Sequence, residues 1–309
     1  MGVAMITVPF HHDIGVVRGF LRLSRAAAWL ICGVALAVLA GWWWDWPLLT
    51  TMWPGQPAMT ANAAVGFVLS GGSLLLSHHP APSWSSVGRW LSLGVLALGA
   101  VTLTEHLWLV DLRIDRLIGA LSTHDSARWP GRMAEPVAAG FVLLGGLGLL
   151  LPARRWPRVR DALALGVLAI AMSGLASYGI ALAGKSAMSF GRMPLHSTLL
   201  LLLATLGWLC AAPTLGLTRV ATADTLGGAL ARRLLLPALL LPAVFAFVFE
   251  LLQSWLGLPE TLAFVFVALF SGGAVAGLVW WVANLFDKLE RQRRESIALR
   301  NDAGTDILT

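Results

Sequence analysis

Charged residues are scarce in this chain, because Asp, Glu, Lys and Arg make up only 12% of its 309 residues. A soluble globular domain carries about a quarter charged residues, so the composition excludes an ordinary soluble fold. Hydrophobic residues account for 57% of the chain, and the mean hydropathy is +0.76. Surface this apolar has to face lipid, which predicts an integral membrane protein.

Cysteines are few and catalytic motifs are lacking. The two cysteines, Cys32 and Cys210, fall inside apolar runs and have no neighbours at the spacing of a metal site. The sequence carries no nucleophile–base spacing, phosphate-binding glycine loop or metalloprotease helix motif. We therefore expect neither enzymatic activity nor a bound cofactor. A haem between His106 and His196 is the remaining alternative, which is disfavoured because axial histidines usually lie on well-defined helix faces.

Long apolar runs account for the hydrophobic composition. A helix needs about 20 residues to cross a hydrocarbon core of about 30 Å. The first run ends in the tryptophan-rich stretch 42–46 rather than in a small-residue cleavage site, which favours a retained span over a signal peptide. Runs of this kind lie at residues 26–44, 60–77, 88–108, 136–152, 160–182, 194–212, 231–252 and 262–286. The sequence therefore predicts an all-α, polytopic membrane helix bundle of about eight spans over residues 26–286.

Basic residues lie mainly on one side of these predicted spans. With the N-terminus inside, 16 of the 22 Lys and Arg residues fall in cytoplasmic segments and six fall on the opposite side. Because cytoplasmic loops are enriched in Lys and Arg, we predict that both termini are cytoplasmic, as segment 1–25 and helical tail 287–309. The net charge of +6 then reflects contact with anionic lipid, so the expected partner is the bilayer and not nucleic acid.

A short motif recurs at the outer start of three predicted spans. Each copy begins with a methionine and carries Phe or Leu eight residues later. We call Met59, Met133 and Met193 the motif methionines; 74 residues separate the first from the second, and 60 separate the second from the third. The third residue after the methionine is Asn in the first copy, Pro in the second and His in the third. Self-similarity of this kind indicates an architecture built by repetition. We predict three helical hairpins, each formed by a motif span and the span that follows it, between the first and the last span.

Polar residues gather near the outer ends of these spans. Ionisable groups at this depth are costly, so they usually have partners or a role. A histidine beside several carboxylates binds a divalent metal or titrates as a pH sensor, and three helix N-termini at one face favour a small anionic ligand. The alternative is a set of ordinary ion pairs with Arg113, Arg116 and Arg132. The candidate ligand-binding residues are Glu105, His106, Asp111, Asp115, Asn62, Glu135 and His196.

Three stretches carry a resemblance to a known family: the pattern Met-x-x-Asn-x-Ala-x-x-Phe at 59–67, and the segments 104–117 and 227–237. Over residues 20–300 the chain resembles the multi-span sensory module at the N-terminus of bacterial sensor histidine kinases, PAS-containing signalling proteins and diguanylate cyclases. The resemblance implies a sensor in the bacterial inner membrane that detects a stimulus at the outer face or in the bilayer. It also implies that the last helix passes the signal to a cytoplasmic effector domain or partner protein.

Two other functions remain open. No kinase or cyclase signature follows the last predicted span, so a structural or assembly subunit of a larger membrane complex is the main alternative. A small-molecule transporter is a further alternative because transporters often contain internal repeats. It is disfavoured because only Ser, Thr and Gly interrupt the apolar residues at mid-depth. A homodimer through Gly273 and Gly277 also remains open.

Overall fold

The fold is that of a computed structural model, which describes residues 12–52, 57–108, 131–151, 156–182, 193–254 and, with a few positions excepted, 256–286. The predicted tail at 287–309 lies outside the described residues, as do Asp111, Asp115, Arg113 and Arg116. Every regular element within the described ranges is a helix, which confirms the all-α prediction.

Ten helices follow one another in these ranges. They are α1 (Ile14–Trp43), α2 (Pro47–Thr50), α3 (Ala61–Ser77), α4 (Pro82–Trp108), α5 (Glu135–Leu150), α6 (Pro157–Leu182), α7 (Leu195–Ala211), α8 (Gly216–Thr222), α9 (Leu226–Ser254) and α10 (Val265–Val282). Each of the eight predicted apolar runs falls on one of the longer helices, so hydrophobic length located the helices correctly.

Among the described residues, four helices are long and apolar enough to cross a membrane: α1, α4, α6 as far as Tyr178, and α10. Helices α7 and α8 meet at 70° and count as a fifth if they form one broken span. Helices α3 and α5 are apolar but have only 17 and 16 residues, which is about 24–26 Å of helix. The count of eight spans and the cytoplasmic placement of both termini therefore stay predictions.

The chain divides into two compact units at Thr222. The first unit contains α1 to α8, and the described part of the second contains α9 and α10. Within the second unit the rings of Phe245 and Phe270 pack edge to face with their centroids 6.0 Å apart. The sequence predicts one bundle over residues 26–286 and gives no sign of this boundary, because both sides of it are equally apolar.

Six long helices of the first unit form a closed bundle, in which three outer helices surround three inner helices. The inner helices α3, α5 and α7 contact one another, and the outer helices α1, α4 and α6 each pack between two inner helices. The ring closes where α1 packs against α7. Each inner helix packs on the outer helix that precedes it, giving the pairs α1–α3, α4–α5 and α6–α7. The helices of the predicted hairpins α3–α4 and α5–α6 are in contact as well, so each inner helix lies between two outer helices.

An apolar layer fills the middle of this unit. Phe67, Phe141 and Leu201, which occupy the same position in the three motifs, are fully buried on the three inner helices. The rings of Phe67 and Phe141 pack edge to face with centroids 4.9 Å apart. Gly66 and Gly140 permit this approach, since a Cβ atom at Gly66 would overlap the Phe141 ring and one at Gly140 would lie 3.0 Å from Leu201. The described middle of the first unit is therefore dry and closely packed.

Candidate functional site

The three motif methionines lie at one end of the first unit, which we call the methionine end. Each is buried and stands two residues before an inner helix. Thr60 caps the first of these helices, since its Oγ1 accepts a hydrogen bond from the Ala63 N–H at 3.4 Å. The other two begin beside Pro136 and Pro194, whose fixed φ suits a helix start and whose missing N–H is not needed there. Different local chemistry thus produces the same helix boundary three times.

In each of the three helix pairs, a ring side chain on the outer helix donates a hydrogen bond to the backbone carbonyl oxygen of the motif methionine. The Trp42 Nε1–H donates to the Met59 carbonyl oxygen at 2.8 Å, and the Tyr178 hydroxyl donates to the Met193 carbonyl oxygen at 2.7 Å. The His106 Nε2 lies 3.0 Å from the Met133 carbonyl oxygen. A carbonyl only accepts, so this histidine nitrogen carries the proton. These ring–methionine hydrogen bonds occupy equivalent places in the pairs α1–α3, α4–α5 and α6–α7.

Two of these donors, Trp42 and Tyr178, are absent from the candidate residues that the sequence indicated. The only available signals were that Trp42 opens a tryptophan-rich stretch and that Tyr178 is the single tyrosine of the chain. The donors stand 17, 27 and 15 residues before their methionines. No common spacing therefore marks them in the sequence.

A buried ion pair lies beside the middle of these three hydrogen bonds. The Glu105 side chain is fully buried, and its Oε2 is 3.8 Å from Nε of Arg132, whose side chain is 4% exposed. The Arg132 guanidinium also donates to the Glu105 carbonyl oxygen at 3.4 Å. Taking both charges out of water is costly, and their mutual attraction offsets part of that cost. The pair joins the end of α4 to the segment that enters α5.

His106 forms a second ionic contact at the same junction. Its Nδ1 lies 3.4 Å from Oε1 of Glu135, with the histidine side chain 21% exposed and the glutamate side chain 67% exposed. Glu135 is the first residue of α5, where the positive end of the helix dipole favours a carboxylate. The structure therefore brings together Glu105, His106 and Glu135 of the predicted site, with Arg132 as the basic partner.

The remaining predicted residues are not joined to this cluster by a described contact. Asn62 and His196 are buried in the first turns of α3 and α7, in the same motif position as Pro136. Within the described residues, no hydrogen bond or ion pair links His196 to Glu105, His106 or Glu135. The same residues contain no group of three His, Cys, Asp or Glu side chains that could hold a metal ion.

The opposite end of the first unit, where α3, α5 and α7 end, has a different character. A cavity of about 370 Å³ opens there, lined by Val17, Leu21, Ser77, Ser85, Leu151, Ala211, Ala212, Pro213, Thr214 and Leu215. A smaller cavity of about 10 Å³, near the volume that one water needs, adjoins it beside Trp208. Among the described residues the buried indole nitrogen of Trp208 has no hydrogen-bond partner. Open space and a buried indole nitrogen therefore mark this end.

Hydroxyl groups connect the helices at the opposite end. The Ser73 hydroxyl lies 2.6 Å from that of Ser92, joining α3 to α4. The Ser24 hydroxyl donates to the Gly207 carbonyl at 2.7 Å and lies 2.8 Å from Nε2 of His78. Because Ser24 has already donated its one proton, His78 donates to it. Burial and, to a lesser degree, the nearby Arg25 lower the pKa of His78.

The opposite end also contains the sharp corner between α7 and α8. Gly216 turns the chain with a φ of +59°, and any side chain there would overlap the Asp161 carboxylate. That carboxylate accepts a hydrogen bond from the Leu217 N–H at 2.8 Å. The buried Arg160 guanidinium donates to the Leu215 carbonyl oxygen, also at 2.8 Å. Two neighbouring residues of α6 thus fix the corner that precedes the unit boundary at Thr222.

Comparison with known protein families, with curated proteins and with solved structures finds no match to this chain. The resemblance to the bacterial sensory module therefore stays a prediction. The function has to rest on the chemistry of the two ends of the first unit and on the packing between them.

Proposed function

We propose that this chain is a membrane-embedded sensory module whose stimulus acts at the methionine end. The supporting observation is the position of the ionisable residues. Glu105, Arg132, His106 and Glu135 meet at one end of a unit whose middle is dry and apolar. Ionisable side chains at membrane depth are expensive and usually serve a function. A stimulus changes the packing of such a unit only through different affinities for two arrangements, and charged contacts at helix junctions supply that difference.

Exposed tryptophans support a membrane position for the first unit. Trp90 and Trp108 of α4 are both largely exposed and stand 18 residues apart. They are therefore separated by about 27 Å along the helix, close to the thickness of the hydrocarbon core. Tryptophan is enriched at both membrane–water interfaces. Further exposed tryptophans lie toward the methionine end at Trp43, Trp44 and Trp46, and toward the opposite end at Trp84 and Trp156.

The separation of Trp90 and Trp108 along α4 also supports a membrane-spanning position for the short inner helices. Helices α3 and α5 pack beside α4 and are about 24–26 Å long, which nearly matches the distance between the two tryptophan levels. We therefore assign all eight apolar helices as spans of a bacterial inner membrane. The concentration of Arg near the opposite end makes that end cytoplasmic, with both termini on the same side. The last helix then carries the signal to a cytoplasmic effector.

A transporter receives less support than a sensor. Substrate sites of repeat-built transporters lie near the middle of the membrane, between broken helices. Here the described middle of the first unit is filled by Phe67, Phe141 and Leu201, and its α7–α8 break lies at the opposite end.

A structural subunit is the second candidate, favoured by α10. None of the most apolar 18-residue window of this helix is buried, and Leu269, Phe270 and Trp280 are exposed on it. A subunit function predicts that the chain purifies from its native membrane with a partner in fixed stoichiometry. A sensor function predicts a stimulus-dependent output even when the chain is fused to an unrelated effector.

The test is a fusion of the full chain to a diguanylate cyclase domain, reconstituted in liposomes. Cyclase activity is measured while pH and divalent cations are varied on the side of the methionine end. The proposal predicts that at least one of these conditions changes the output and that His106→Ala, Asp115→Ala or His196→Ala alters the response. The matched control is His79→Ala, at an exposed position of the opposite end. A constant output under all conditions, or responses unchanged in all three variants, contradicts the proposal.

A further inference from the structure

We infer that the two adjoining cavities at the opposite end of the first unit bind an uncharged, mostly apolar molecule that carries a carbonyl oxygen. The observation behind this inference is the indole N–H of Trp208, which is buried and has no hydrogen-bond partner among the described residues. This site lies at the end away from the buried ion pair, and it binds its ligand whether or not the chain is a sensor.

Trp208 lies one turn before the end of the inner helix α7 and is 1% exposed. Leaving a buried N–H unpaired is costly, and buried donors in native proteins bond to protein, to ordered water or to a ligand. The smaller cavity lies against the Trp208 ring, and its volume of about 10 Å³ accommodates a single oxygen-sized atom. An oxygen atom placed there would accept the proton that the indole offers.

Two glycines leave this small space open. Gly88 of α4 and Gly148 of α5 both line it. A Cβ atom at Gly148 would overlap the Ser92 hydroxyl and would lie 3.1 Å from the Trp208 ring. A side chain at this position would therefore occupy the space beside the indole, whereas glycine leaves it to an atom of the ligand.

The nearby hydroxyl groups have already committed their protons. Ser77 donates to a backbone carbonyl oxygen of its own helix at 2.6 Å, and Ser73 donates to the Gly88 carbonyl oxygen at 2.7 Å. Ser92 lies 2.6 Å from Ser73 and donates to it, because the proton of Ser73 is already in use. The indole N–H of Trp208 is therefore the donor that a ligand would satisfy, which requires an acceptor on the ligand.

The larger cavity has room for the body of such a molecule. Its volume of about 370 Å³ falls within the roughly 300–1,000 Å³ that small-molecule sites occupy. The described residues that line it are mostly apolar and include the hydroxyl residue Thr214. Ser77, Ser85 and Leu151 line both cavities, so the two spaces adjoin. An apolar body in the larger cavity can therefore place one oxygen beside Trp208.

The lining also favours an uncharged ligand. Among the described residues that line the larger cavity, none is ionisable. Arg89 lines the smaller cavity, but its side chain is exposed and donates to the Ser86 hydroxyl at 3.1 Å. Moving an ionised group from water into an apolar space is costly. The segment 152–155, which follows Leu151, lies outside the described residues and is not part of the site.

The first experiment follows the indole N–H directly, by nitrogen–proton NMR of the full chain labelled with ¹⁵N-tryptophan in lipid nanodiscs. The Trp208 signal is assigned by its loss in Trp208→Phe. The probes are benzophenone and diphenylmethane, which share two phenyl rings and differ in the carbonyl oxygen. Benzophenone is expected to shift the Trp208 signal to saturation and to bind about tenfold more tightly than diphenylmethane, the difference that one hydrogen bond makes.

The signal of Trp90, which is exposed on α4, is the control for probe dissolved in the lipid, and it is expected to show no saturation. A Trp208 signal that benzophenone leaves unmoved would mean that the cavities hold water alone, and equal affinities of the two probes would mean that no acceptor is recognised. Either result overturns the inference. This comparison uses the wild-type chain, so it remains decisive where a variant fails to fold.

The second experiment locates the probe by illumination, which links benzophenone to nearby C–H bonds. Labelling is expected on the peptides that contain Leu21 and Leu215, because both residues line the larger cavity. Ala212→Leu fills that cavity and is expected to reduce this labelling about tenfold. The matched control is Ala162→Leu, which adds the same side chain at an exposed position of α6 and retains the labelling. Labelling that is equal in the two variants overturns the inference.

A third probe tests whether the ligand is uncharged. The compound 4-benzoylbenzoate adds a carboxylate to the same two rings and ketone. It is expected to bind more weakly than benzophenone at equal concentration in the lipid, because an ionised carboxylate loses its hydration in the cavity. Tighter binding of the carboxylate would show that a basic group recognises the ligand, and it would overturn the assignment to an uncharged molecule.

Discussion

The two ends of the first unit hold the same six helices together by different means. At the methionine end, the outer helices donate ring hydrogen bonds to backbone carbonyls, and a fully buried ion pair locks α4 to the entry of α5. At the opposite end, hydroxyl groups join the helices, the neighbouring Arg160 and Asp161 fix the sharp bend from α7 into α8, and a cavity of about 370 Å³ opens. An ion pair joins two helices at the first end, whereas the second end has room to rearrange. Under the proposed function, the first end receives the stimulus and the second end moves.

The largest expected effect comes from breaking the buried ion pair of the methionine end. Glu105→Leu removes the fully buried carboxylate that lies 3.8 Å from Nε of Arg132, and breaking a buried ion pair costs about 3–5 kcal/mol. The measurement is the free energy of unfolding in detergent micelles, obtained by denaturant titration.

The matched variant at the opposite end is Ser92→Ala. It removes a buried hydroxyl that contacts Ser73 at 2.6 Å, and it is expected to cost about 1 kcal/mol because both groups are neutral. A loss for Glu105→Leu no greater than that for Ser92→Ala would remove the distinction between an end held by an ion pair across two helices and an end held by hydroxyl contacts.

An intermediate effect is expected from the ring–methionine hydrogen bonds. Tyr178→Phe deletes only the hydroxyl that binds the Met193 carbonyl at 2.7 Å, so a buried acceptor loses its partner at a cost of about 1–3 kcal/mol. Trp42→Phe removes the equivalent donor of the first pair and should destabilise the unit by a similar amount. The same titration measures both. The control is Trp44→Phe, an exposed neighbour of Trp42. Equal stability of Tyr178→Phe and wild type would show that the three bonds are incidental.

The smallest expected effect lies at the opposite end, at His78. Burial and, secondarily, Arg25 lower the pKa of this histidine, so the folded chain binds its proton less readily than the unfolded chain. The contribution of neutral His78 is therefore fully present above the ordinary value of about 6.5 and is lost as pH falls toward the lowered pKa.

His78→Gln should consequently flatten the decline in stability below about pH 6.5, and the same denaturant titration at several pH values measures that slope. His79→Gln, one residue further toward solvent, serves as the control. A slope that is the same in His78→Gln and wild type would mean that the burial of His78 does not couple its protonation to folding.

Much of this account could be predicted from the sequence, because it depends on local pattern. Apolar length located the helices, and the motif placed a buried methionine before each inner helix. The clustering of Glu105, His106 and Glu135 followed from their nearness to the ends of adjoining spans. The donors Trp42 and Tyr178 could not be predicted, since the loops between donor and methionine differ in length. Long-range packing, which no local pattern encodes, brings α1 against α7 and closes the arrangement of six helices.

The most direct test asks whether a change at the methionine end reaches the opposite end. Hydrogen–deuterium exchange of the full chain in nanodiscs is compared at one pH between wild type, Glu105→Gln and the exposed control Asp45→Asn. The account predicts that Glu105→Gln, unlike the control, changes exchange both near Glu135 and in the α7–α8 corner around Leu217. A change confined to the end of α4 and the start of α5, with the corner identical in all three proteins, would contradict it.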